Sequence, residues 1–282
     1  VIKSTEPQQR FALLTGVSKF SKVSVFSDLN NLTDLTMDYQ SATMLGYTQT
    51  ELEANFPDYI ERLAESEGKH YDQTLAELRE WYNGYRFHHK AEKVYNPVSV
   101  MKCLNASEYA NYWFETGTPT FLLDLIKRQP VDMNNLTVPE DAFSTYEPDQ
   151  LEPLPLLVQT GYLTIKSVED MGNLRYYCLG YPNQEIERSF STWLARDFTN
   201  LSAPDFSSTL HRIVQALKNA SIDDMLEHLK VFFAGIPNDI TLKHEKYYQT
   251  IFFTVFKLIG AVIEAETSTN IGRIDAVAKT DT

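Results

Sequence analysis

The chain has 282 residues, enough to bury at least one substantial core, which excludes a small scaffold held by disulfides or metal. Apolar residues make up 43% and aromatic residues 12%, too much for a disordered chain, and a mean hydropathy of -0.31 excludes a polytopic membrane protein. With 25 basic and 38 acidic residues the formal net charge is -13, which opposes a general coating of nucleic acid.

The polar start VIKSTEPQQR lacks the apolar core of a secretory signal, and Val1 in place of Met points to a fragment. Phe11-Ala-Leu-Leu14 is a short continuous apolar run, the pattern of a central parallel strand covered on both faces. It leads into Thr15-Gly-Val-Ser-Lys-Phe-Ser21, where Thr15 and Ser18 would face a ligand crevice and could bond a phosphate or its attacking water. The competing reading is a plain turn around Gly16, which the local pattern favours. No G-x-x-x-x-G-K-[ST] loop occurs in the chain.

Thr48-Gln-Thr-Glu51 is a capping-box signature and predicts a helix start. Leu75, Leu78, Trp81 and Tyr82 recur at helical spacing and Gly84 follows as a stop. Asn96-Pro97 and Thr118-Pro119 each place a capping side chain before a proline, so two more helices should begin there, and residues 48–130 read as mostly α. His88, His89 and Lys90 lack metal-pair spacing and read as a solvated loop. Six acidic residues between Asp132 and Glu152, with no Lys or Arg and with prolines at 139 and 148, read as a linker.

Leu151 to Thr160 predicts a short buried helix, Tyr162–Lys166 and Arg175–Leu179 two strands around the turn Glu169–Asn173, and Ile186 to Phe198 a second helix. That order matches a winged-helix module, and its acidic wing (Glu169, Asp170) favours an intramolecular packing role over reading a DNA groove. Amphipathic helices are predicted over Leu210–Asn219 and Ile222–Phe233 and an aromatic helix over Lys243–Ile259, ended by Gly260, then strands over Ala261–Thr267 and Ile271–Ala278 around Ser268–Asn270. The apolar stretch from Ile251 to Ile263, interrupted by Lys257 and Gly260, falls short of the ~20 residues of a membrane span. Residues 205–282 carry 8 basic and 10 acidic residues, so the acidity belongs to residues 1–204.

Cys103 and Cys178 stand far apart with no second ligand nearby, which opposes a disulfide framework or a zinc site and fits core side chains in a reducing cytoplasm. Asp275 interrupts the apolar Ile274-Asp-Ala-Val277, and a carboxylate in a buried strand costs free energy unless it is paired, hydrogen-bonded or bound to a cation. The alternative places it on an exposed face beside Arg273 or Lys279, and the two readings stand level. Glu245, near a helix start, reads on its own as a favourable first-turn charge.

Phe11 to Ser21, Leu45-Gly-Tyr-Thr-Gln-Thr-Glu-Leu52, Trp81-Tyr-Asn-Gly-Tyr-Arg-Phe87 with Val94-Tyr-Asn-Pro97, Leu156-Leu-Val-Gln-Thr-Gly-Tyr-Leu163, and Glu245-Lys-Tyr-Tyr-Gln-Thr-Ile-Phe252 with Gly272-Arg-Ile-Asp-Ala-Val277 together resemble a bacterial and archaeal family. Its members join an AAA-ATPase-like domain to a C-terminal domain of the PD-(D/E)XK nuclease superfamily. The resemblance implies a mixed α and β fold, predominantly α. Residues 1–47 would close the α/β ATPase core, 48–130 form a helical lid, 131–150 an acidic linker and 151–200 a winged-helix module. Residues 205–282 would hold a helical lead-in and the start of the α/β nuclease core.

By the same resemblance Thr15 matches the sensor of the nucleotide γ-phosphate, with Ser18 beside it, while Glu245 and Asp275 match two acidic, metal-holding positions of the nuclease core. The Walker motifs and the E-x-K strand of the family are absent from these residues. The intact protein would then be a hydrolase using ATP and Mg²⁺, an ATP-driven, metal-dependent nuclease or nuclease-like effector, and this chain alone is expected to turn over neither ATP nor DNA and to hold neither cofactor tightly. The rival expectation is a non-catalytic regulatory protein whose vestigial nuclease fold binds a partner. Nucleic acid through the complete C-terminal domain, a protein partner or self-association are the partners expected, with no membrane.

Overall fold

Capping decides where the helices start. In the computed structural model Thr48 Oγ1 accepts from the N–H of Glu51 at 3.2 Å, and Glu51 Oε2 accepts from the N–H of Thr48 at 2.9 Å, which sets the start of α1 (Gln49–Asn55). Pro57 opens α2 (Pro57–Glu67), which Gly68 ends in the left-handed region, and α3 spans Tyr71–Tyr82. Asn96 Oδ1 accepts from the N–H groups of Val98 and Ser99 to start α4 (Pro97–Ala106). The structure describes residues 8, 10–16, 33–113, 120–129, 131, 135–143, 152–199, 201–234, 252, 254–256, 258–259, 262–269 and 272–279. The Thr118-Pro119 cap lies outside them, though α5 (Thr120–Arg128) follows it.

The chain divides into two units. The first comprises Val1–Thr116 and Leu136–Ile186. Its core is built where α1 to α4 bury Leu52, Ile60, Leu63, Leu78, Tyr82, Tyr95, Val100, Cys103 and Leu104, each 0% exposed. The same unit holds β1 (Thr137–Pro139), a 3-10 turn at Glu140–Phe143, α6 (Pro153–Gln159), β2 (Thr164–Met171) and β3 (Leu174–Gly180). The strands form an antiparallel sheet in the order β1-β3-β2, with Val138 opposite Tyr177 and Val168 opposite Tyr177 on the other side.

The acidic segment is therefore more than the linker expected of residues 131–150. Val138 is buried and Thr137 to Pro139 form an edge strand, where a proline is tolerated because no ladder partner needs its missing N–H. The hairpin is also longer than expected, because β2 starts at Thr164 and both strands run on to Met171 and Leu174, with Gly172 at positive φ in the turn.

The second unit comprises Gly117–Asn135 and Glu187–Thr282. It contains α5, the remainder of α7 (Gln184–Thr199), α8 (Ala203–Lys218), α9 (Ile222–Ala234), and the antiparallel pair β4 (Val262–Thr269) and β5 (Gly272–Lys279). Helix α8 starts seven residues ahead of the expected Leu210 because Ser202 caps it, accepting from the N–H of Asp205, with Pro204 in its first turn. Phe206 of α8 meets Phe232 of α9 edge to face at 5.3 Å. The helix expected from Lys243 is described at positions 252, 254–256 and 258 only. As a whole the described chain is a mixed α and β fold, mostly helical. No described helix is long and apolar enough to cross a membrane.

Candidate functional site

The four residues singled out from the sequence are not brought together among the described residues. Ser18 and Glu245 lie outside them. Thr15 is exposed, and the strand expected at Phe11–Leu14 is not formed: residues 11–16 have no regular structure, with Phe11 82% exposed and Leu13 57%. A central parallel strand exists only by hydrogen bonding to neighbours on both sides, and no described strand pairs with these residues. Asp275 lies in the middle of β5, between the cross-strand pairs Thr267–Ile274 and Ala265–Ala276.

Among the described residues no group of three His, Cys, Asp or Glu side chains converges on a point where a cation could sit. One carboxylate position on a strand does not make a Mg²⁺ site, and an exposed Thr15 on an irregular segment does not make a phosphate cradle. With Ser18 and Glu245 outside the described residues the set of four is incomplete there, and Thr15 and Asp275 decide nothing about ATP or Mg²⁺ by themselves.

The motif Trp81 to Phe87 with Val94 to Pro97 is brought together, as the keystone of the first unit. Tyr85 and Val94 exchange backbone hydrogen bonds at 3.2 and 2.8 Å, and the N–H of Tyr95 donates to Tyr47 O at 2.7 Å. The N–H of Asn96 donates to Tyr82 O, so one asparagine ends the link to α3 and caps α4. Gly84 has φ +122, and a Cβ there would lie 2.0 Å from the carbonyl oxygen of Pro182. Its role is close approach as well as stopping a helix.

The next residues tie this loop to the hairpin. The N–H of Arg86 donates to Thr164 Oγ1 at 2.8 Å, Thr164 Oγ1 donates to Arg86 O at 3.2 Å, and Arg86 Nη1 donates to Lys166 O. Tyr82 OH both donates to Ala110 O and accepts from the N–H of Ala110, each at 3.0 Å.

Glu185, which the sequence reading passed over, is fully buried beside this keystone. Its Oε1 accepts from the consecutive N–H groups of Tyr112 at 2.7 Å and Trp113 at 2.9 Å. The usable signal was Asn183, whose Oδ1 accepts from the N–H of Ile186 and so places Glu185 in the first turn of α7, where the reading began the helix at Ile186.

Burial pushes the Glu185 carboxyl above its ordinary range, and also raises the hydroxyls of Tyr82 and Tyr85 and pushes the Cys103 thiol up to about 12. Such a thiol stays protonated and is no nucleophile. Both cysteines are free, Cys103 buried and Cys178 half-buried.

His88 and His89 are half-buried instead of solvated. Their rings lie 4.3 Å apart, with Tyr39 edge-on to His88 at 5.4 Å and Tyr177 near His89 at 6.3 Å. Burial, with His88 beside it, lowers the His89 pKa.

The chain is 35% identical over 286 residues to a protein described as "Uncharacterized protein in vnfD 5'region" of Azotobacter chroococcum mcd 1. The alignment covers 98% of this chain and 52% of that protein, so the chain spans about half the length of the curated relative it matches. No protein-family profile matches the chain, and no solved structure matches it.

Proposed function

We propose that residues 1–282 belong to an ATP-driven, metal-dependent nuclease or nuclease-like effector, in which nucleotide state moves a lid and winged helix and so repositions a C-terminal nuclease-like domain. The observation that carries this reading is the antiparallel β4–β5 pair, which follows helical positions 252, 254–256 and 258 and holds Asp275 at mid-strand. In this reading Asp275 and Glu245 are two of the carboxylates that hold Mg²⁺, and Thr15 and Ser18 stand at the nucleotide. In this reading the helix α6, the three-stranded sheet and α7 are the winged-helix element; its acidic tip, Glu169 and Asp170, is exposed rather than packed as expected, with Asp170 paired to Arg175 at 3.0 Å, and its charge opposes docking on DNA.

The net charge of -13 argues less strongly against a nucleic-acid substrate of the C-terminal part than it first suggests, because the acidity lies almost wholly in residues 1–204. The net charge of -13 gives the second reading its weight: a regulatory protein whose nuclease-like fold holds a protein partner or a second copy. With no phosphate loop in these residues, ATP turnover belongs to the whole protein. The coding sequence on either side of residues 1–282 separates the two readings. A phosphate loop upstream and an intact E-x-K strand followed by a basic helix downstream support the nuclease. A degraded strand, or ATP hydrolysis by the whole protein that Thr15→Ala leaves unchanged, counts against it.

A further inference from the structure

We infer that the helical section Tyr47–Trp113 and the hairpin β2–β3 with its flanking turns make one rigid lever: residues 84–86 and 112–113 are locked to residues 161–166 and 182–185, and no hinge lies between them. The inference rests on the ATP-driven reading proposed above, in which nucleotide state then swings the lid and the winged helix together.

A shared core does not supply the link. Among the described residues the buried cluster of α1 to α4 contains no residue of the hairpin. Elements with separate cores shift against each other by default, so the seam between them decides.

The polar ties of that seam come from two places on each side. The N–H of Arg86 donates to Thr164 Oγ1 at 2.8 Å, Thr164 Oγ1 donates to Arg86 O at 3.2 Å, and Arg86 Nη1 donates to Lys166 O at 3.1 Å. Thr164 thus serves residue 86 as a strand partner would, through its side chain. Separately, Glu185 Oε1 accepts from the N–H groups of Tyr112 and Trp113 at 2.7 and 2.9 Å, and Gln184 Nε2 donates to Glu80 Oε2 at 3.2 Å. Tyr85, Tyr162, Leu163, Thr164 and Ile165 are all buried. Parting the seam strands these polar groups or wets this apolar surface, and either raises the free energy.

A hinge needs a few loop residues free to change φ and ψ. Gly84 and Gly161, at φ +122 and +82, have that freedom by residue type, and each is pinned by the opposite side of the seam. A Cβ at Gly84 would collide with the carbonyl of Pro182, and one at Gly161 would stand 3.1 Å from the Trp113 ring and 3.5 Å from the Tyr85 ring. These glycines supply close approach of backbone rather than a joint.

Hydrogen exchange, read by NMR on the purified polypeptide, tests the lock, because the amides of Arg86, Tyr112 and Trp113 all donate across the seam. Each should exchange within about tenfold of the amide of Leu104, in the core of α4. Faster exchange at any of the three, with Leu104 still protected, would overturn the inference. Thr164→Val keeps the shape and removes the hydroxyl; it should quicken all three amides together, and a change confined to Arg86 would count against a single lock. Should the variant fail to fold, the wild-type exchange decides alone. In the whole protein, turnover of ATP with Mg²⁺ should leave the three amides as slow as before, and acceleration there would put a hinge in the seam and sink the inference. A whole protein that hydrolyses no ATP would contradict the ATP-driven reading instead, and exchange in the polypeptide would still judge the lock.

Discussion

The section from Tyr47 to Trp113 and the segment from Phe11 to Gly16 carry equally recognisable sequence motifs, and the structure treats them in opposite ways. In the first, nearly every motif residue becomes a hydrogen bond or a buried ring: Thr48 and Glu51 cap each other, Asn96 caps α4, Tyr82 holds Ala110, and Tyr95 OH donates to Gln49 Oε1. In the second, Phe11, Leu13 and Leu14 stand exposed. The difference is where the partners lie. Caps find theirs within three residues, and Tyr82 and Tyr95 find theirs 28 and 46 residues away within the same helical section, while a central strand depends wholly on other strands.

Substitutions can break or sharpen that contrast. The largest effect is expected in the shared core: Leu104→Ala, at a side chain 0% exposed, should lower the unfolding free energy by roughly 2–5 kcal/mol in urea titration. Gly84→Ala comes next, at about 1–3 kcal/mol, because it strains the backbone at φ +122 and drives a Cβ against the Pro182 carbonyl. Asn96→Ala should remove about 1 kcal/mol by leaving the N–H groups of Val98 and Ser99 without their acceptor, and Asn96→Asp should restore most of it. Smallest of all, Leu14→Ala should change stability by no more than ~0.5 kcal/mol. A loss at Leu14 as large as that at Leu104 would show that the Phe11–Leu14 run is buried after all.

These same residues show how much of the molecule was legible beforehand. The start of α1, the start of α4, α9 and the two C-terminal strands were readable because each is announced by a local pattern: a capping pair, Asn-Pro, an amphipathic run, alternation. β1 was missed because three residues inside an acidic stretch become a strand only through β3, an element nearly forty residues away. The early start of α8 was readable in principle from Ser202 and Pro204, and the reading weighed apolar periodicity over that cap. Asn183 marks the helix start that holds Glu185 but not its burial, since its donors, Tyr112 and Trp113, stand more than seventy residues upstream. Of the proposed nuclease site only Asp275 was marked by local pattern, a charge within an apolar strand, and β5 does run through it.

The central claim, that Asp275 is a metal-holding residue of a nuclease, is tested most directly by one assay of the whole protein. Purified wild type and Asp275→Asn are compared for Mg²⁺-dependent cleavage of DNA and RNA in the presence of ATP, with circular dichroism to confirm equal folding. The account predicts cleavage by the wild type that chelation of Mg²⁺ abolishes and that Asp275→Asn reduces by at least about a hundredfold, the scale of losing a group that acts on the transition state. Cleavage of equal rate by the folded variant, or none by the wild type on any nucleic acid, would contradict it.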